Sequence, residues 1–253
     1  MPAQPRKQGL DSLKRSSSLK GKVALVTGGS QGIGRAIAQA LAEEGCNLVL
    51  SARNASRLER VKTELSPTGV RIAALACDVR DEKSVARLSG AIQKEFARLD
   101  ILVNCAGIVS PMRPARELSL PEWQDVLATN LTGMFLVTRA VLPLMERGAT
   151  IANVLSMSAK QAFPNQAAYN ASKFGALGFT ETLRAELRGE GIRVIALLPG
   201  ATDTALWNTL WPDAPRHKMI RPETVAQALV SALKLPAEST VEELELMPTS
   251  GAL

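Results

Sequence analysis

The sequence predicts an α/β protein built on a doubly wound, seven-stranded, mostly parallel sheet with helices on both faces. Three observations predict it. Short apolar runs alternate with helical patterns from Lys22 onward, the order of βαβ units. The runs are continuously apolar, as in strands covered on both faces. The first run leads directly into a glycine cluster that opens a helix.

The elements follow in chain order. Residues 22–27 (KVALVT) read as the first strand, with a glycine turn and a helix over 32–44 behind it. A strand over 47–50 precedes a helix over 56–65, and a strand over 71–76 precedes a helix over 82–96. The fourth strand is 100–103, followed by a long helix over 132–146. A strand over 150–155 leads to a helix over 167–188, and a strand over 192–198 to a helix over 222–234. Residues 242–247 form the last strand. Right-handed crossovers wind such units on both sides of the sheet, and the ligand belongs outside the strand C-terminal ends, where the strand order reverses.

A chain of 253 residues with 46% apolar composition suits one domain, expected over residues 21–253, with 1–20 as a basic flexible tail. The net charge of +6 sits in that tail: residues 1–22 carry six Lys/Arg and one Asp, a net +5, which leaves +1 for the rest. A solvated terminus explains it without nucleic acid; a basic, Ser-bearing, acid-poor segment also has the look of an organelle transit peptide. No uninterrupted apolar run reaches the length of about 18 that a membrane span needs, so the expectation is a cytoplasmic protein without membrane contact. Cys46, Cys77 and Cys105 form no CxxC motif and read as reduced, buried thiols. The single histidine, His217, excludes a multi-histidine metal site, and no metal is expected.

Two groups of residues carry chemistry. The first is the turn Thr27-Gly28-Gly29-Ser30-Gln31-Gly32-Ile33-Gly34, where glycines let the backbone approach a pyrophosphate and the next helix offers its N-terminus. The second strand runs on to Ala52-Arg53 with no carboxylate between Asn47 and Leu58. A carboxylate would bind a ribose 2′-hydroxyl; Arg53 instead suits a 2′-phosphate, which favours NADP over NAD. Asp78, beside Val79, either accepts from an adenine amino group or is the N-terminal acid of the next helix. The second group is Tyr169 and Lys173, four apart on one helix face. A free phenol has a pKa near 10, and a neighbouring ammonium is expected to lower it toward use as an acid/base. Ser156, thirteen residues earlier at a strand end, can hold a substrate oxygen beside it; Ser158 is its rival.

On these residues the chain resembles the short-chain dehydrogenase/reductase family over about residues 20–247, on a Rossmann-type fold. The matching motifs are the TGxxxGxG loop Thr27–Gly34, a variant NNAG at Asn104-Cys105-Ala106-Gly107, Asn130, Ser156, the YxxxK pair Tyr169/Lys173, and Pro199-Gly200 with Thr204. The resemblance implies an NADP(H)-dependent oxidoreductase acting on a carbonyl/alcohol pair. Tyr169 would be the proton donor, Ser156 would position the carbonyl, and Lys173 would hold the nicotinamide ribose. Asn130 would carry a relay water. Asn104, Ala106 and Gly107 would line the adenosine ribose and sheet, and Pro199, Gly200, Thr202 and Thr204 the carboxamide. Gln31 stands where some NADP-preferring members carry a cation, so recognition of a 2′-phosphate would lean on Arg53 alone. The ending EELELMPTSGAL departs from 3-oxoacyl-carrier-protein reductases, which remain the narrower alternative, with a non-catalytic NADP-binding regulator as the alternative from another class.

The segment 201–221 is expected to cover the site, with Trp207 and Trp211 either walling the substrate or capping the core or a subunit contact. His217 reads as a surface residue. With no arginine pair to clamp a carboxylate, the substrate is expected to be a small neutral or acyl-type carbonyl compound. The family implies a homodimer or homotetramer through the helices at 132–146 and 167–188; the small residues Ala171, Gly175, Ala176 and Gly178 permit such a contact or packing on the sheet.

Overall fold

Continuous apolar segments build the centre of the computed structural model, which describes residues 18–251. Seven strands, β1 (Val23–Thr27), β2 (Asn47–Ala52), β3 (Ile72–Ala76), β4 (Ile101–Asn104), β5 (Thr150–Val154), β6 (Arg193–Pro199) and β7 (Glu243–Leu246), form one sheet in the order β3-β2-β1-β4-β5-β6-β7. Every adjacent pair is parallel, so the sheet is wholly rather than mostly parallel. β1 and β5 are buried at every position, as strands covered on both faces must be. The order reverses beside β1: β2 lies on one side and β4 on the other, which opens a crevice at their C-terminal ends.

The helices α1 (Gly32–Glu43), α2 (Ala55–Leu65), α3 (Glu82–Phe96), α4 (Leu120–Leu127), α5 (Gly133–Val141), α6 (Ala167–Leu187), α7 (Trp207–Leu210) and α8 (Pro222–Leu233) cover both faces. α1 packs on α8 on one side. One core cluster gathers Val26, Ile37, Leu41, Leu50 and Leu229 on that face, and another gathers Leu25, Val85, Ile92, Val137 and Leu183 on the opposite face.

The helix expected over 132–146 differs. It begins at Leu120, where Ser119 and Glu122 close a capping box and Pro121 occupies the first turn. It passes through a π-turn at Ala128–Thr132 and ends in a tight turn at Leu142–Leu144 around Pro143. The uninterrupted stretch Leu120–Leu144 is long and apolar enough to cross a membrane by length and composition, which a search for unbroken apolar runs does not register because polar residues interrupt it. Its inner residues Val126, Asn130, Met134, Val137 and Val141 are buried, and the stretch packs on α3, α6 and β4. The basic tail falls mostly outside the described residues, but its expected boundary at residue 20 is too late: Leu19 is buried in the core, and its carbonyl accepts from the Cys46 thiol.

Candidate active site

The glycine turn forms because only glycine fits it. Gly28 has φ +70°, and a Cβ there would lie 2.9 Å from the Cys105 carbonyl. A Cβ on Gly34 would lie 2.5 Å from the Gly28 carbonyl. The loop therefore presses against the end of β4 and closes on itself. Thr27 seals this junction, its hydroxyl accepting from the amides of Cys105 (3.0 Å) and Ala106 (3.1 Å). Gln31 precedes α1 without capping it, and the first turn of α1 carries no acid, so its amides and dipole face an open cleft of about 1250 Å³. Gly28, Ser30, Gln31, Gly32, Ile33, Gly34, Arg53, Asp78, Val79, Ala106, Gly107, Tyr169, Lys173 and Thr204 all line that cleft.

Asn104 does not. It is buried beneath the cleft, where its Nδ2 donates to Thr138 Oγ1 (3.0 Å) and Asn153 Oδ1 (2.9 Å). Its side chain thus lies in the sheet, and not on the cleft surface where a ribose was expected beside it. Asn153 continues this ladder to Thr180 on α6 (2.9 Å).

At the far wall the sequence reading missed two arginines. Arg57 stands on the cleft beside Arg53, and its Nη1 donates to Gln31 Oε1 (2.8 Å). Gln31 thus supplies no cation itself but anchors one, and Arg53 is not alone. Arg80 grips Asp78: its Nε donates to Oδ1 (3.0 Å) and its Nη2 to Oδ2 (2.7 Å), while Nη1 reaches Asp125 (3.0 Å). These bonds hold the Asp78 carboxyl below its usual range, against the pull of burial. Asp78 is not the cap of α3; Asp81 is, accepting from the Lys83 amide. The start of α2, capped by Asn54 on the Arg57 amide, and the two-residue spacing of Asp78 and Arg80 were the available signals.

Ser156 leaves the end of β5, and Tyr169 and Lys173 rise from the first turns of α6. The Ser158 amide donates to Ser156 Oγ (3.1 Å), and Ser156, Ser158 and Tyr169 line one cavity. Lys173 is buried, its Nζ donating to the Val154 carbonyl (2.9 Å) and lying 5.6 Å from the Tyr169 ring centre. The expected lowering of the phenol pKa does not occur in the protein alone. Burial pushes Tyr169 up to about 12, opposed by the neighbouring Ser156 hydroxyl, and burial brings the Lys173 amine down to about 8. The ammonium is directed at a backbone carbonyl rather than the phenol, so desolvation dominates.

Asn130 sits in the π-turn, a backbone irregularity frequent at functional sites. Its amide pairs with both backbone groups of Ile108 (2.8 and 2.9 Å) and donates to Ser172 Oγ (3.0 Å). Ser172 in turn donates to the Tyr169 carbonyl (2.7 Å). Its bonds therefore tie the cleft floor to α6 rather than reaching Lys173.

A second cavity, of about 780 Å³, adjoins the first, and Ser156, Pro199, Gly200, Thr202 and Trp207 line it. Tyr169, Ile33, Leu155, Thr204 and Leu206 line both cavities. The Trp207 indole N–H donates to the Thr202 carbonyl (2.8 Å). Trp211 and His217 are exposed and line neither cavity. Of the small residues on α6, Ala176 is buried in the core, Gly175 faces Leu131, and Gly178 is open.

Comparisons with known proteins agree with this architecture. The family model for short chain dehydrogenase matches residues 22–215. A D-threitol dehydrogenase of Mycolicibacterium smegmatis is 43% identical over 205 residues, covering 80% of this chain and 78% of the relative. An alcohol dehydrogenase from the archaeon Thermococcus sibiricus, solved with 5-hydroxy-NADP, superposes with a TM-score of 0.85 at 33% identity, covering 91% of this chain and 97% of that one. A 3-ketoacyl-(acyl-carrier-protein) reductase from Brucella melitensis, solved with NADH, gives 0.82 at 32% identity, covering 90% and 98%. The chain belongs to the short-chain dehydrogenase family and is an oxidoreductase acting on carbonyl or alcohol groups.

Proposed function

We propose that the protein is an NADP(H)-preferring reductase or dehydrogenase of a small carbonyl/alcohol pair, with Tyr169 as the general acid/base. One observation carries this reading: Tyr169, one helical turn from Lys173 and on the same cavity as Ser156, stands where the two cavities meet.

The larger cleft fits a nicotinamide dinucleotide. Gly28 and Gly34 leave no room for side chains, and the unshielded start of α1 suits a pyrophosphate. Arg53 and Arg57, with no carboxylate partner among the described residues, favour a 2′-phosphate, and Asp78 is held for the adenine by Arg80. Val79, Ala106 and Gly107 provide walls, and Pro199, Gly200, Thr202 and Thr204 shape the nicotinamide end. When bound, the reduced dinucleotide supplies the hydride that adds to the carbonyl carbon.

Ser156 and Tyr169 hold the carbonyl oxygen by hydrogen bonds, and Tyr169 donates its proton to that oxygen as charge develops there. A phenol raised to about 12 remains protonated throughout the neutral range, as reduction requires. In the oxidising direction the Lys173 ammonium and a cationic nicotinamide ring would both favour the phenolate. Asn130 fixes the floor beneath this group and the turn of α6 that bears Tyr169. The exposed Phe135 on α5 and Phe174 on α6 support pairing with a second copy as a homodimer or homotetramer. The three free thiols suit a reducing, cytoplasmic setting. Nothing in this reading requires a metal.

The test is Tyr169→Phe, with NADPH binding and NADPH oxidation measured side by side. Turnover is expected to fall at least a hundredfold, the scale of a lost general acid, with binding retained. Turnover that survives removes Tyr169 as the acid, whereas the absence of turnover in the unaltered protein, with NADPH bound, favours a regulator.

A further inference from the structure

The cavity beside Tyr169 is walled without formal charge. Among the described residues that line it there is no Asp, Glu, Lys, Arg or His. Its apolar surface comes from separate places in the chain, among them Met157 after β5, Phe163 before α6, Leu206, Trp207 and Leu210 around α7, and Met247 after β7. Elements so distant in sequence converge on one apolar chamber.

Two polar groups of this wall are engaged with the protein, while Ser156, Ser158, Gln166 and Thr204 also line it. The Trp207 indole N–H is bound to the Thr202 carbonyl (2.8 Å), which leaves the apolar ring for the cavity. The Thr202 hydroxyl donates to the Gly200 carbonyl (3.0 Å). Arg216 is bonded to Asp203, to the Thr204 carbonyl (2.8 Å) and to Asn208 Oδ1 (2.7 Å), and neither it nor Lys218 nor Arg221 of the covering segment lines the cavity. Gln166, the residue that precedes α6, lines the cavity with a neutral amide.

Resting on the function proposed above, we infer the substrate class: an uncharged ketone or secondary alcohol with a bulky alkyl or aryl body, rather than a polyol, a sugar or an acid. An anion brought here loses its water and meets no cation. A polyol must find a partner for every hydroxyl it buries. An apolar body gains from the same wall.

The full-length protein with saturating NADPH is given acetophenone, its charged analogue 4-acetylbenzoate, and a tetrulose. The expected kcat/KM for acetophenone exceeds that of either competitor at least about tenfold. A charge-assisted contact is worth about tenfold or more, so Met247→Lys, at an exposed position, is expected to shift the ratio toward 4-acetylbenzoate by that factor. Binding is read separately as quenching of tryptophan emission, with Trp207→Phe as the reference. Saturable quenching by acetophenone, absent in Trp207→Phe and weak with 4-acetylbenzoate, supports the class. Equal or better Tyr169-dependent turnover of the carboxylate or the tetrulose overturns the class and leaves the reductase reading intact. If no compound is turned over, the reductase reading falls. The quenching then decides what the cavity accepts, and equal quenching by the neutral and charged ketones overturns the class.

Discussion

Replacing Lys173 by methionine, which keeps the side chain's length, separates the stability cost of a buried ammonium from its chemical use. Lys173 is 5% exposed, and burial brings its amine from 10.5 to about 8. That fall corresponds to roughly 3 kcal/mol against the charged form. Below pH 8 both folded and unfolded chains hold the proton, and the folded state bears the whole penalty. From pH 8 to 10.5 the unfolded chain binds the extra proton, so the wild-type protein gains stability from this group as pH rises. Methionine removes the penalty but leaves the Val154 carbonyl without the donor it has at 2.9 Å, a loss of about 1–3 kcal/mol. At pH 7 the variant is therefore expected to be between equal and about 2 kcal/mol more stable, with Tm raised by up to about 6 °C. By pH 10 the comparison should move about 2–3 kcal/mol toward the wild type. The range stops there because Tyr169, raised to about 12, contributes with the opposite sign, losing stability from pH 10 upward. Urea unfolding of both proteins at pH 7 and pH 10 measures the shift, and NADPH oxidation at pH 7 is expected to collapse. A stability difference that stays constant between the two pH values would refute the assignment of a desolvated ammonium.

Gly34→Ala drives a Cβ to 2.5 Å from the Gly28 carbonyl; binding of NADPH, followed by its fluorescence, should be lost while far-UV dichroism persists. Arg53→Asp should weaken NADPH binding about tenfold or more, and Arg57→Ala by a smaller factor; unchanged titrations for both would remove the 2′-phosphate site from this wall. Thr27→Val keeps the shape but strands the Cys105 and Ala106 amides, and is expected to cost about 2–4 kcal/mol in urea unfolding, with faster hydrogen exchange at those two amides.

Continuous apolar runs such as Val23–Thr27 made the sheet legible, since a strand buried on both faces must be apolar throughout. The helix before β5 was misplaced because the capping box at Ser119 and Glu122 was passed over for the apolar stretch beyond it. The glycine turn and the Tyr169–Lys173 spacing were readable because each lies along one stretch of chain, whereas Ser156 comes beside Tyr169 only through the fold. Arg57, Arg80 and the walls at Phe163 and Met247 were not, because their proximity is made by the folded sheet and not by neighbouring positions. The direction of the Tyr169 shift was misjudged for a related reason: the sequence displays the ammonium, whereas burial appears only in three dimensions.

The row of amides and hydroxyls from Thr138 through Asn104 and Asn153 to Thr180 runs across the strands, and Asn104 faces Asn153 in the β4–β5 register. Sliding either strand by one residue would turn a carboxamide into hydrocarbon and break several bonds together. The row thus acts as a key that admits one alignment. Beyond it, a few residues along each strand, lie the wall at Ala106 and the hydroxyl of Ser156, so the spacing between the two halves of the site is determined in the dry interior, away from any ligand.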